Sequence, residues 1–170
     1  MSQIWVCPLS DLDETLRSSG ARRMVSLMGP GKITPRPDQI TDGQLGLEFH
    51  DITGPREDLS PPTLQQMSQM LEFFASWDQR HPLLIHCWMG ISRSTAAAAI
   101  ALAQCAPDQD MTLLAQQLRR TSPMATPNSL MISLADDLLE LNGRLKTAIA
   151  SIGRGAEARQ GKPFAMEMIA

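Results

Sequence analysis

Tyrosine is absent from this 170-residue chain, so no tyrosine can wall a binding pocket. No apolar run approaches the ~18 residues of a membrane span, and no lysine/arginine cluster offers a surface for nucleic acid or an anionic membrane. The net charge of −3 is mild. The first residues lack a basic stretch followed by a long apolar segment, so no signal peptide is expected. Cysteines number three (Cys7, Cys87 and Cys105). An odd count at irregular spacing fits neither a disulfide framework nor a zinc site. These absences predict a cytoplasmic protein without metal or other cofactor, in a compartment where a free thiol stays reduced. Internal repeats, low-complexity tracts and linkers are also missing. A chain of this length suits one domain over residues 1–170 with a sizeable core.

What is present is concentrated between Leu83 and Thr95. The segment Leu83-Leu84-Ile85-His86-Cys87 is apolar until its last two residues and reads as a buried strand. Trp88-Met89-Gly90-Ile91-Ser92 follows as a short loop, and Arg93-Ser94 opens an alanine-rich helical stretch. A loop joining a strand to a helix N-terminus can turn successive amides inward as an anion nest, helped by the positive end of the helix dipole. Arg93 adds a planar fork that meets two anion oxygens at once. The same field favours the thiolate, which is the nucleophilic form of Cys87. Gly90 permits the tight turn. Ser94 is placed to give its hydroxyl to the sulfur, and His86 is expected to bond loop backbone and hold Cys87 in place.

His86-Cys87 through Arg93-Ser94 resembles the His-Cys-x5-Arg-Ser/Thr signature of the cysteine-dependent protein tyrosine phosphatase superfamily. The size and the stretch PLLIHCWMGISRSTAAAAIA are most similar to its compact dual-specificity-type members, in particular small bacterial tyrosine-phosphatase-like proteins. The likeness extends from about Ile4 to the helix after Asn128. Rhodanese-like loops fit less well, having one residue fewer between cysteine and arginine. Low-molecular-weight phosphatases carry the loop near the N-terminus, whereas Cys87 is mid-chain.

The resemblance implies an α/β fold with a central, mostly parallel sheet flanked by helices. It implies hydrolysis of phosphomonoesters on phosphotyrosine, and on phosphoserine or phosphothreonine, through a phosphocysteine on Cys87. Arg93 and the loop from Trp88 through Met89, Gly90, Ile91 and Ser92 to Ser94 would bind the phosphate. The general acid would be an aspartate on a loop upstream. Asp51 is the first choice because it follows the strand-like Leu47–His50, while Asp58 and Glu57 compete. Asn128 reads first as a helix N-cap and second as a side chain that positions water. The partner is then a phosphorylated protein or a small phosphomonoester. Two rivals stay open: a catalytically weak module that captures phosphorylated partners, and a small-molecule phosphatase or sulfur-transfer enzyme on the same loop.

Strands are expected at Ile4–Cys7, Arg23–Met28, Leu45–His50 and Pro82–His86. Helices are expected from Asp11 to Ser18 with Ser10 as cap, from Ser60 with Pro61 in its first turn, and over Thr95–Cys105. Two more follow at Met111–Arg120 and Ser129–Leu141, the last ended or bent at Asn142-Gly143, with a helical continuation over Arg144–Ile152 left open. The spacing of Leu64, Met67, Leu71, Phe74 and Trp77 marks a core-facing stripe. Residues 153–170 show no clear period and read as an ill-defined tail.

Overall fold

Strand β4, Leu83–Cys87, is buried at every position and lies at the centre of a five-stranded sheet. β1 (Gln3–Pro8) and β2 (Arg23–Met28) flank it in parallel, and β3 (Gly43–Glu48) extends the parallel set beyond β2. β5 (Phe164–Glu167) closes the other edge antiparallel to β1, giving the order β3-β2-β4-β1-β5. Near-continuous apolar strands are what a parallel sheet covered on both faces requires. The expected mostly parallel sheet flanked by helices is the architecture observed. The computed structural model describes residues 2–32 and 34–168.

α1 (Leu12–Ser19) covers one face, with Leu12 and Leu16 against Cys7, Met24 and Leu84. The larger core forms on the opposite face beneath α2 (Leu64–Ala75), α3 (Arg93–Cys105), α4 (Met111–Thr121), α5 (Ser129–Leu138) and α6 (Arg144–Ser151). α3 runs through its middle, touching α2, α4, α5, β1 and β4. Its alanines Ala96 to Ala99, Ala101 and Ala103 are completely buried. Small side chains on every face let five neighbours approach closely, and this dense packing fixes the N-terminus of α3.

Several boundaries differ from the sequence expectation. The helix expected from Ser60 begins at Leu64, because Thr63 and Gln66 close a reciprocal capping box that outcompetes Ser60. Ser10 caps nothing; it lies in a single 3-10 turn, Leu9–Asp11, that precedes α1. β3 starts two residues earlier than expected and stops at Glu48, where pairing with β2 ends. α3 already includes Arg93 and Ser94. The helix expected to reach Leu141 stops at Leu138, and α6 follows separately. Residues 153–170 are not a shapeless tail: β5 lies among them, since pairing with β1, over 150 residues away, supplies what local pattern lacks. Ile169 and Ala170 fall outside the described residues.

The break between α5 and α6 is held by Asp136, a fully buried carboxylate. Its two oxygens accept from the backbone N–H of Gly143 at 2.7 Å and of Lys146 at 2.9 Å. Removing the carboxyl group strands both donors, at about 1–3 kcal/mol each before relaxation. Asp136→Ala is therefore expected to lower unfolding stability by roughly 2–4 kcal/mol in urea titrations. Asp136→Asn, which keeps one acceptor oxygen, should recover part of that loss.

Candidate active site

β4 delivers Cys87 to the top of the sheet, and residues 88–92 turn the chain into α3. The carbonyls of this turn are held from outside by remote segments. Trp88 O accepts from the Leu9 amide at 3.2 Å, Met89 O from Gly161 at 2.7 Å, and Ile91 O from Thr126 at 2.9 Å. Ser92 O accepts from Ala96 at 3.0 Å and Asn128 at 3.3 Å. Each trans peptide is planar, so fixing its carbonyl outward turns the following N–H inward. The Gly90 amide shows the result, donating to Cys87 Sγ at 3.3 Å. Gly90 has φ +68, and a Cβ there would stand 2.7 Å from the Pro8 nitrogen, so both conformation and space demand glycine.

The sulfur lies 3.1 Å from Ser94 Oγ, on the first turn of α3. Arg93 is nine-tenths buried, and its Nη1 donates to the Phe49 carbonyl at 2.8 Å. Its Nε–H is buried and meets no acceptor among the described residues. A buried donor without a partner is costly, and here it belongs to a fork suited to an oxyanion.

His86 sits beneath the loop, fully buried. Its closest contact is Ser26 Oγ on β2, 2.7 Å from Nε2; the expected backbone contact, Nδ1 to Cys87 O, is longer at 3.5 Å. A carbonyl only accepts, so Nδ1 carries the hydrogen and Nε2 accepts from Ser26. Burial holds the imidazole down to about 4, against a smaller opposing effect of the Cys87 carbonyl. It is a neutral strut.

Asp51 reaches the loop from the segment after β3. Its Oδ1 accepts from Ser92 Oγ at 2.7 Å and from Asn128 Nδ2 at 2.9 Å. Asn128 also caps α5, its Oδ1 accepting from the Met131 amide at 3.0 Å, which is the N-cap expected of it. His50 and Ser60 clamp the ends of the acidic loop: the His50 amide donates to Ser60 O at 2.7 Å, and the Ser60 amide to His50 Nδ1 at 2.9 Å. Asp58 sits in the turn closed by the Arg56–Leu59 bridge, with φ +60, and makes none of these contacts.

Cys87, Arg93, Ser92, Ser94 and Asp51 thus converge, with Trp88 half-exposed beside them. Cys7 and Cys105 do not. Cys7 faces the α1 side of the sheet whereas Cys87 belongs to the opposite core, and burial pushes the Cys7 thiol up to about 12. Cys105 ends α3, twelve residues from its start, about 18 Å from the loop at 1.5 Å rise per residue. Cys105 is therefore too far to bridge to Cys87, and the Cys7 side chain belongs to the other face of the sheet. Sequence reasoning missed Ser26, Thr126 and Gly161; only a buried histidine's need for a partner pointed toward the first. No group of three or more His, Cys, Asp or Glu among the described residues has metal-binding geometry.

Neither a family model nor a curated protein sequence matches the chain. Solved structures do. Human DUSP28 superposes with TM-score 0.59 at 17% identity, over 81% of this chain and 91% of that one. The Yvh1 phosphatase domain from Chaetomium thermophilum gives 0.58 at 16%, over 84% and 93%. Human tyrosine phosphatase-like serine/threonine/tyrosine-interacting protein gives 0.59 at 17%, over 82% and 92%. The chain therefore has the protein tyrosine phosphatase-like fold.

His86 yields a pH prediction with a definite sign. Its folded value lies below the unfolded one, so between about 6.5 and about 4 the unfolded chain binds a proton that the native state refuses. Stability falls as pH drops through that window, by up to about 3 kcal/mol from this residue. Urea unfolding at pH 7 and pH 4.5 should show a smaller acid loss in His86→Asn than in wild type.

Proposed function

We propose that this protein is a phosphomonoesterase that works through a covalent phosphocysteine. The observation that carries the reading is the hydrogen bond from Ser92 to Asp51, which ties a carboxylic acid to the loop holding Cys87 and Arg93. The amides of residues 89, 90, 92 and 93 and the Arg93 fork bind the phosphate dianion, whose oxygens give the buried Nε–H its acceptor. Cys87 Sγ attacks phosphorus in line as the bond to the leaving oxygen breaks. Asp51 delivers its proton to that oxygen. Both hydrogen bonds to Asp51 fall on Oδ1, which leaves Oδ2 as the oxygen that faces the leaving group. Water then attacks phosphorus, Asp51 takes the water proton, and the P–S bond breaks with the Ser94 hydroxyl stabilising the departing thiolate. His86 and Asn128 support this arrangement without touching phosphate.

Phosphotyrosine is the default substrate, with phosphoserine and phosphothreonine also admitted, and half-exposed Trp88 flanks the entrance. Similarity to dual-specificity phosphatase structures supports this class. No helix among the described residues is long and apolar enough to cross a membrane.

Cys87→Ser is expected to abolish turnover of aryl phosphates while retaining phosphate binding. Asp51→Asn should lower kcat on phosphotyrosine peptide by about 10²–10⁴. The loss should be smaller for p-nitrophenyl phosphate, whose leaving group needs less protonation, and the decline in rate at high pH should flatten. The same outcome in Asp58→Asn with an intact response in Asp51→Asn would move the acid to Asp58. Tight phosphopeptide capture with no hydrolysis by the unmutated protein would overturn the enzymatic reading. Trapping the Cys87 adduct by mass spectrometry separates phosphate from persulfide.

A further inference from the structure

After α6 the chain returns across the surface before joining the sheet as β5. Along that return the Gly155 amide donates to Thr126 Oγ1 at 3.0 Å, and the Ala156 amide to the Pro123 carbonyl at 2.9 Å. Gln160 Nε2 then donates to Ser10 Oγ at 2.7 Å. Gly161 is the only buried residue between Gly153 and Pro163. Its amide donates to the Met89 carbonyl at 2.7 Å, and a Cβ on it would stand 2.6 Å from the Gly90 oxygen. Its φ lies outside the left-handed region, so glycine is required here for space rather than for conformation.

The Met89 carbonyl and the Gly90 amide are the two ends of one peptide plane. The outer end is held by Gly161, and the inner end points at the Cys87 sulfur. Rotating that plane would swing the amide off the sulfur and present a carbonyl oxygen to the anion instead.

We infer that residues 153–163 form a strap that orients the Met89–Gly90 peptide, with Gly161 as a positioning residue for the reaction at Cys87. The inference rests on the phosphatase reading above. It extends the site to a segment that touches no substrate atom. β5 anchors the far end of the strap by antiparallel pairing with β1, whose own end supplies Leu9 to the Trp88 carbonyl. The strap and the loop are therefore braced against the same strand.

The test compares wild type, Gly161→Ala and the exposed-site control Lys162→Ala. Measurements are kcat and KM on p-nitrophenyl phosphate, inhibition by inorganic orthovanadate, and thermal unfolding. A methyl group at position 161 must push the loop backbone, and misplacement near 1 Å costs about 10²-fold in rate. Gly161→Ala is expected to lower kcat by at least about tenfold and to weaken vanadate inhibition in parallel. Its unfolding curve should stay cooperative, and Lys162→Ala should match wild type. In wild type, amide hydrogen exchange at Gly161 is expected to slow when vanadate binds, because strap and anion stabilise the same peptide orientation reciprocally. This second measurement decides the question if Gly161→Ala fails to fold. An active wild type whose kcat and vanadate affinity survive Gly161→Ala overturns the strap alone, as does Gly161 exchange indifferent to vanadate. A wild type inert toward phosphomonoesters and blind to vanadate overturns the phosphatase reading together with the strap.

Discussion

A peptide plane has two ends, and the loop between β4 and α3 depends on which end faces out. Four of its carbonyls are bonded from outside, by the end of β1, by the segment before β5, by the α4–α5 connection and by the first turn of α3. The amides of the same planes face the other way, and the Gly90 amide rests on the Cys87 sulfur. An array of like-oriented dipoles repels itself and does not persist in a free loop. It persists here because each outward carbonyl has a hydrogen-bond partner that would be lost on rotation. Much of the domain can be understood as scaffolding for those few donors.

The acidic loop is held by the same economy. Asn128 caps α5 with its oxygen and grips Asp51 with its nitrogen, so the amide group joins a helix N-terminus to the segment after β3. Ser92 adds a second bond from the loop itself. Beneath, His86 stays neutral between Ser26 and the Cys87 backbone and places no charge under the sulfur. α3 brings its first turn to the sulfur and can do so because its buried alanines let neighbours lock it in place.

Local pattern carried much of this. The strand, loop and helix around Cys87 are consecutive in sequence, so their type and order follow from short-range periodicity and from one cysteine-arginine spacing. Asn128 capping α5 was legible for the same reason, since its cap bond reaches only three residues along the chain. The misplaced start of α2 arose where two local signals competed, Ser60 with prolines against Thr63 with Gln66, and only the reciprocal bonds chose between them. β5 escaped notice because four residues of weak alternation mean little until an edge strand is there to pair with.

The sequence by itself determined the order of the elements from β1 through α5, the α/β class and the identity of the sulfur and the guanidinium that lie together, because each follows from residues within a few positions of one another. Tertiary structure decided which carboxylate meets the loop, what holds its carbonyls and whether the other cysteines approach Cys87. The two contacts join positions 41 and 72 residues apart (Asp51 to Ser92, Gly161 to Met89), and the separation of Cys7 from Cys87 is set by strand order and sheet face. No periodicity spans such distances. Hydrogen-bond geometry is resolved only once packing has brought the backbone segments side by side.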